Sequence, residues 1–285
     1  MAVTNGWGQG VENNTIEWGK GKDNATNDWG KVYETSASGD TLLEVSTVPF
    51  SNTKSVDFDG VDDFVKTSAN YTQVDGASKL TVSAWIKVST TSDSNSWLLS
   101  VGGGSNRQFG VRAQTTTNTT IWFLVNSGGN GHRILTNVGA IKGDGNWHHL
   151  LVCADLSLST GQECQVYLDG VAKSGSGSIG STTFPAANTS LFIGTQHGDL
   201  TRVFGGLVDE VAIWVGEDFR TQSDVDTIYN SGVPNNLNSN GLTAPTTWYR
   251  MGDNDTFPTL TDNGSGGNNG TMTNMVAGDI VTDTP

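Results

Sequence analysis

Cysteine is scarce in this chain: Cys153 and Cys164 are the only two among 285 residues. Two thiols cannot build a four-thiolate zinc site, and their spacing matches no redox motif. They flank an expected hairpin closed by Ser157-Leu158-Ser159-Thr160-Gly161, where two buried free thiols and a cross-strand disulfide both stay open. Basic residues are few as well, 15 Lys plus Arg against 29 Asp plus Glu, leaving a net charge of −14. That balance argues against a phosphate-tracking groove, and so against nucleic acid as a partner. No run of about 18 apolar residues occurs, which argues against membrane insertion. The opening Met1-Ala2-Val3-Thr4-Asn5-Gly6-Trp7-Gly8 has no basic region and no apolar region, so synthesis in the cytoplasm without a signal peptide is expected. Catalytic signatures are missing too: there is no Ser/His/Asp elbow, no phosphate loop and no His-Glu-x-x-His.

What is present is strand pattern. Leu80, Val82, Ala84, Ile86 and Val88 alternate with Thr81, Ser83 and Lys87, the period of a strand with one face in a core. Val166-Tyr167-Leu168 runs into Asp169-Gly170, a short-range hairpin signal. Similar short apolar runs recur at 97–101, 109–113, 121–125, 133–138, 150–154 and 191–194, separated by Gly, Asn, Ser and Thr. Such a series predicts an all-β, two-sheet antiparallel sandwich. After Trp214 the period changes, and Ser223 is placed to cap a short helix in which Val225, Ile228 and Tyr229 share a face, stopped by Gly232 and Pro234.

Five blocks stand in order: Ser55 to Val65 around Phe58-Asp59-Gly60, Leu80 to Lys87, Asn146-Trp147-His148-His149-Leu150-Leu151-Val152, Val166 to Gly170, and Gly206 to Trp214 around Asp209-Glu210-Val211. Together they resemble a laminin-G-like jelly roll of the concanavalin A superfamily over residues 50–232. The resemblance implies a module that binds and does not catalyse, with calcium near its loops. Its enzymes carry alternating carboxylates along one strand; here Asp209-Glu210-Val211-Ala212-Ile213-Trp214-Val215 lacks the second acid on that face. The segments Trp248 to Asp253 and Asp262 to Thr271 look like the opening strand and turn of the same module, but they follow the helix. Residues 240–275 are therefore expected to pack on the sandwich near its N-terminal edge.

Ahead of the sandwich, Trp7-Gly8, Trp18-Gly19 and Trp29-Gly30 stand 11 residues apart. A segment so poor in aliphatic residues cannot offset its ordering entropy alone, so Trp7, Trp18 and Trp29 are expected to be buried in an assembly. This arm, with Tyr33 to Thr41 after it, resembles the N-terminal segments of phage structural and fibre proteins. That resemblance implies a virion protein, a homo-oligomer that also meets other virion proteins through its arm. The expected division is an arm at 1–45, a jelly roll at 46–235 and a C-terminal segment at 236–285.

Three sets of side chains are candidates for function. Asp59, Asp62 and Asp63, with Asp209 expected on the apolar side of its strand, need either a Ca²⁺ ion or loop amides to satisfy them. His148 and His149 point to opposite faces of a strand and cannot chelate one metal together. On the meander from Arg107 to Leu135, parity sends Phe109, Val111, Ile121, Phe123 and Val125 inward and Gln108, Arg112, Trp122 and Arg133 outward. An outward indole among amide and guanidinium donors suits a host-surface saccharide or a neighbouring chain. A cellular carbohydrate-binding or adhesion module, and behind it a glycoside hydrolase, are the competing readings.

Overall fold

Alternation along Lys79–Val88 builds the central strand of the molecule. Leu80, Val82, Ala84, Ile86 and Val88 enter the core, while Thr81, Ser83 and Trp85 face the other side. The structure is a computed structural model. It describes residues 2–5, 32–36, 39–43, 50–102, 107–115, 118–127, 130–186 and 188–285, the side chains only from residue 50 on and without those of residues 115, 126–127 and 130–134. The chain forms two units, Met1–Phe50 and Ser51–Pro285. In the first, β1 (Ala2–Asn5), β2 (Val32–Ser36) and β3 (Gly39–Leu43) make one antiparallel sheet in that order. Trp7, Trp18 and Trp29 lie outside the described residues.

The second unit is a sandwich of two antiparallel sheets. One runs β14 (Gly175–Ser178), β10 (Asn130–Gly139), β9 (Thr119–Ser127), β8 (Phe109–Thr115), β7 (Asn95–Val101), β15 (Leu191–Ile193), β5 (Phe64–Thr67), β19 (Gly270–Thr273), β18 (Thr259–Leu260). The other runs β13 (Val171–Lys173), β12 (Cys164–Leu168), β11 (His148–Asp155), β6 (Lys79–Val88), β16 (Gly205–Val215), β4 (Ser55–Asp59), β20 (Ile280–Val281), with β17 (Thr247–Tyr249) also beside β16. One continuous apolar core lies between them, drawn from both sheets and including Phe58, Phe109, Phe123, Phe204, Tyr249 and Met272. Residues 236–285 belong to this unit and give strands to both sheets: β17 pairs with β16, β19 with β5 and β20 with β4.

Local chemistry sets the connections. Asp169 and Gly170 both take positive φ, 53° and 75°, and turn β12 into β13 with Leu168 opposite Val171. The helix α1 (Gln222–Tyr229) is capped by Thr221, whose hydroxyl accepts from the Asp224 amide, and not by Ser223 as the sequence suggests. Val225 and Ile228 bury its inner face, and Tyr229 stacks on Trp85 at 5.9 Å. Cys153 and Cys164 are both buried and free. Cys164 sits opposite Ala154 and joins the core, whereas Cys153 points the other way and donates to the Phe219 carbonyl. Opposite faces of the sheet rule out a bridge between them.

Candidate functional site

Inward packing of Phe109, Val111, Ala113, Ile121, Phe123 and Val125 turns the alternate residues of β8 and β9 outward. Register then aligns Trp97, Arg112, Trp122 and Leu135 in one row across β7, β8, β9 and β10. The Arg112 guanidinium carbon lies 3.8 Å from the Trp122 ring centroid and 6.0 Å from that of Trp97. Arg107 stacks on the far indole, 4.6 Å from the Trp97 centroid. Trp122 and Arg112 are half-buried, while Trp97 and Arg107 are covered. Burial, and then the neighbouring Arg202, pull the Arg107 pKa down to about 10. The arrangement offers a flat apolar ring beside charged planar donors, a combination that can stack on a sugar ring and bond its hydroxyls.

Trp97 belongs to this row because β7 bulges: the register slips between Trp97 and Leu99, and Leu98 is the extra residue. Sequence pattern places Trp97 in an apolar run and gives no sign of the slip. Its indole lies over Gly110, where a Cβ would come within 2.5 Å of the ring. Arg107 was also not singled out by sequence. Gln108, expected outward, is fully buried, with its side-chain amide donating to the Asp75 carboxylate. It precedes β8, and its own backbone amide bonds the Val101 carbonyl, so the strand alternation does not govern it. The backbone of Arg133 pairs with Leu124 on the same sheet, and its side chain lies outside the described residues.

The loop after β4 gathers Asp59, Asp62 and Asp63, with ligand oxygens within 4.8 Å of one another. Asp59 accepts from the amides of Val61 and Asp62, and Asp63 from the amide of Asp59. Burial, set against the Asp59 amide bond, leaves the Asp63 carboxyl raised to about 6. An all-oxygen set of three carboxylates fits Ca²⁺, so these are the residues that would hold it. Asp209 is not one of them. It lies four residues along β16 from Gly205, the partner of Asp59, which is about 13 Å along a strand. Its carboxylate accepts instead from Asn52 Nδ2 at 2.8 Å and from the Glu210 amide at 2.8 Å.

A second bulge, just beyond Asp209, decides which face it takes. Register between β16 and β6 slips from Asp209 to Ala212, and Glu210 takes φ 48°. Val208 enters the core before it, Val211 and Ile213 after it, so Asp209 does not share their face as simple alternation requires. Glu210 accepts from Trp248 Nε1 and Arg250 Nε, which ties the bulge to the C-terminal segment. Burial first, and then their mutual repulsion, raise the Asp209 carboxyl; burial likewise raises Glu210, against the pull of Arg250.

The two adjacent histidines separate as expected. His148 bonds Asp169 through Nδ1 at 2.7 Å and Asp144 through Nε2 at 2.9 Å, which raises its pKa. His149 is buried neutral, its pKa lowered by burial to about 4, and shares a 2.8 Å hydrogen bond with Ser83 Oγ. This Ser and His sit beneath α1 beside a space of about 10 Å³, too small for any substrate.

A family profile described as the concanavalin A-like lectin/glucanases superfamily, of laminin-G type, matches residues 59–226. No curated protein sequence matches significantly. Among solved structures, a proposed carbohydrate-binding protein from Bacteroides ovatus aligns with 83% of this chain and 62% of its own, at 19% identity and TM-score 0.58. The enzymatically active domain of tailspike protein 2 from bacteriophage CBA120 aligns with 79% of this chain and 32% of its own, at 12% identity and TM-score 0.50. The chain thus spans less than two thirds of either, and at these identities the likeness is one of fold.

Proposed function

Since this chain belongs to the concanavalin A-like lectin/glucanases superfamily, we propose that it is a non-enzymatic structural protein of a bacteriophage particle whose jelly roll binds host-surface saccharide. The observation that carries the binding role is the Arg112–Trp122 stack, half-buried on the outward face of the nine-stranded sheet. A guanidinium held flat on an indole has little freedom left to lose, so a sugar ring meets a preorganised edge. The absence of catalysis is supported by the burial of Ser83 with His149 and of Asp209 with Glu210, the polar pairs nearest to a reactive constellation. The virion role is supported by the tryptophan repeat at Trp7, Trp18 and Trp29, and by a fold shared with a tailspike domain. In this reading the arm assembles copies and meets other virion proteins, Ca²⁺ at Asp59, Asp62 and Asp63 stiffens one loop, and multivalency turns weak single-site binding into adhesion.

The test is Trp122→Ala on a glycan array and on host cells. Binding is expected to disappear while melting temperature and native mass stay unchanged. If the variant binds as before, or unfolds, this face is not the saccharide site. A cellular carbohydrate-binding module is the second reading, favoured by the fold shared with the Bacteroides ovatus protein. Native mass with and without residues 1–45 separates the two, because only the virion reading requires the arm to hold an oligomer.

A further inference from the structure

We propose that the open cleft on the outward face of the eight-stranded sheet is a second ligand site, taking a saccharide ring that carries a free amine. The cleft measures about 540 Å³, within the range of small-ligand sites. Its floor is a cross-strand row, Asp57 on β4, Leu207 on β16 and Lys87 on β6, all turned away from the core. Helix α1 covers only the other end of this face, where Tyr229 packs on Trp85 and His149. The row at Asp57 is left uncovered, and Ser89 and Thr90 line its rim.

Charge selects the ligand. Lys87 is already answered by Asp283, Nζ to Oδ2 at 2.8 Å, and the Trp147 indole donates to the other oxygen of the same carboxylate at 2.9 Å. Asp57 accepts no hydrogen bond from the described residues and is the one charge in the lining left over. A positive group on the ligand would pair with this carboxylate at the floor of the cleft. A ring with an ammonium on Asp57, its apolar face on Leu207 and its hydroxyls toward Ser89 and Thr90 satisfies each of these groups at once. A neutral ring would leave Asp57 unanswered.

The experiment is calorimetric titration of the full chain at pH 6 and about 0.15 M salt with the fully deacetylated glucosamine trisaccharide, its N-acetylated counterpart and spermine. Binding is expected for the deacetylated sugar alone. Asp57→Asn should weaken it about tenfold or more, with an unchanged melting temperature. Trp122→Ala should leave it untouched, so failure here and failure of the Trp122 face are told apart. Equal binding of the acetylated sugar overturns the amine requirement. Equal binding of spermine reduces the effect to general attraction by an acidic surface and overturns the site. No binding, or wild-type affinity in Asp57→Asn, overturns it as well.

Discussion

Gly110 has no side chain because the Trp97 ring lies where one would be, with 2.5 Å between them. Gly110→Ala should push the indole off its seat and cost about 1–3 kcal/mol by overpacking. Denaturant midpoints measure that cost, and saccharide binding should fall with it if Trp97 backs the Arg112–Trp122 stack. Asp62 carries the one carboxylate of the acidic loop that accepts no hydrogen bond from the described residues. Calcium should raise the melting temperature, by about 2.7 kcal/mol of stability at a hundredfold excess over Kd. Asp62→Asn should remove the rise; no rise in the unaltered protein leaves Asp59 and Asp63 as amide caps. Stability should also depend on pH in a defined direction. Asp63, Asp209 and Glu210 keep protons in the folded chain at pH values where the unfolded chain has released them, so their contribution falls as pH rises. His148, raised above 6.5, adds a loss in the same direction above that pH. His149, lowered to about 4, acts oppositely: between 4 and 6.5 the unfolded chain takes up a proton that the folded chain refuses. Below about pH 4 the lowered carboxylates Asp144, Asp155 and Asp169 are lost too. Melting temperature should therefore peak near pH 4–5, above which three carboxyls lose stability and one imidazole gains it, and should have dropped by a few degrees or more at pH 8, since one pKa unit is worth about 1.4 kcal/mol. A flat profile from pH 6 to 8 would contradict this.

Among the elements, those whose rule repeats were readable and those that depend on one inserted residue were not. Leu80 to Val88 alternates without interruption and lies as its pattern demands, and Asp169-Gly170 turns as its dipeptide demands. In the meander, Arg112 and Trp122 fall on the face that parity gives them. Leu98 and Glu210 break the rule: each adds one residue to a strand, and no residue type announces it. The first insertion brings Trp97 to the outward row, and the second puts Asp209 on the face opposite Val211 and Ile213. Gln108 departs for a related reason, since it precedes β8 and strand alternation does not reach it. The bulge in β16 has a direct test. Deleting Glu210 would restore regular pairing with β6 and leave Val208, Val211 and Ile213 in the core, but it would take the buried carboxylate from Trp248 and Arg250. Removing one partner of a buried ion pair costs about 3–5 kcal/mol. A lowered melting temperature is expected, and a deletion variant that melts like the unaltered chain would show that the bulge does not hold the C-terminal segment.

At the scale of the molecule, the division at Phe50 and Ser51 predicts that residues 51–285 fold alone with an unaltered melting temperature. Calorimetry on that fragment is the check, and a lowered or broadened transition would mean the first unit supports the second. Trimming the other end should not be tolerated. Val281 pairs with Ser55 and Met272 with Val65, so the last strands lie beside the first strands of the same unit. On a ribosome, this has a consequence for timing. One edge each of β4 and β5 waits unpaired through the synthesis of some 200 residues, because β20 and β19 are made last. Contacts so distant in sequence are slow to form, and open strand edges invite association with other nascent chains. The jelly roll therefore closes only after translation has passed residue 281, so a stalled or shortened nascent chain should be captured by chaperones, not released as a smaller stable domain.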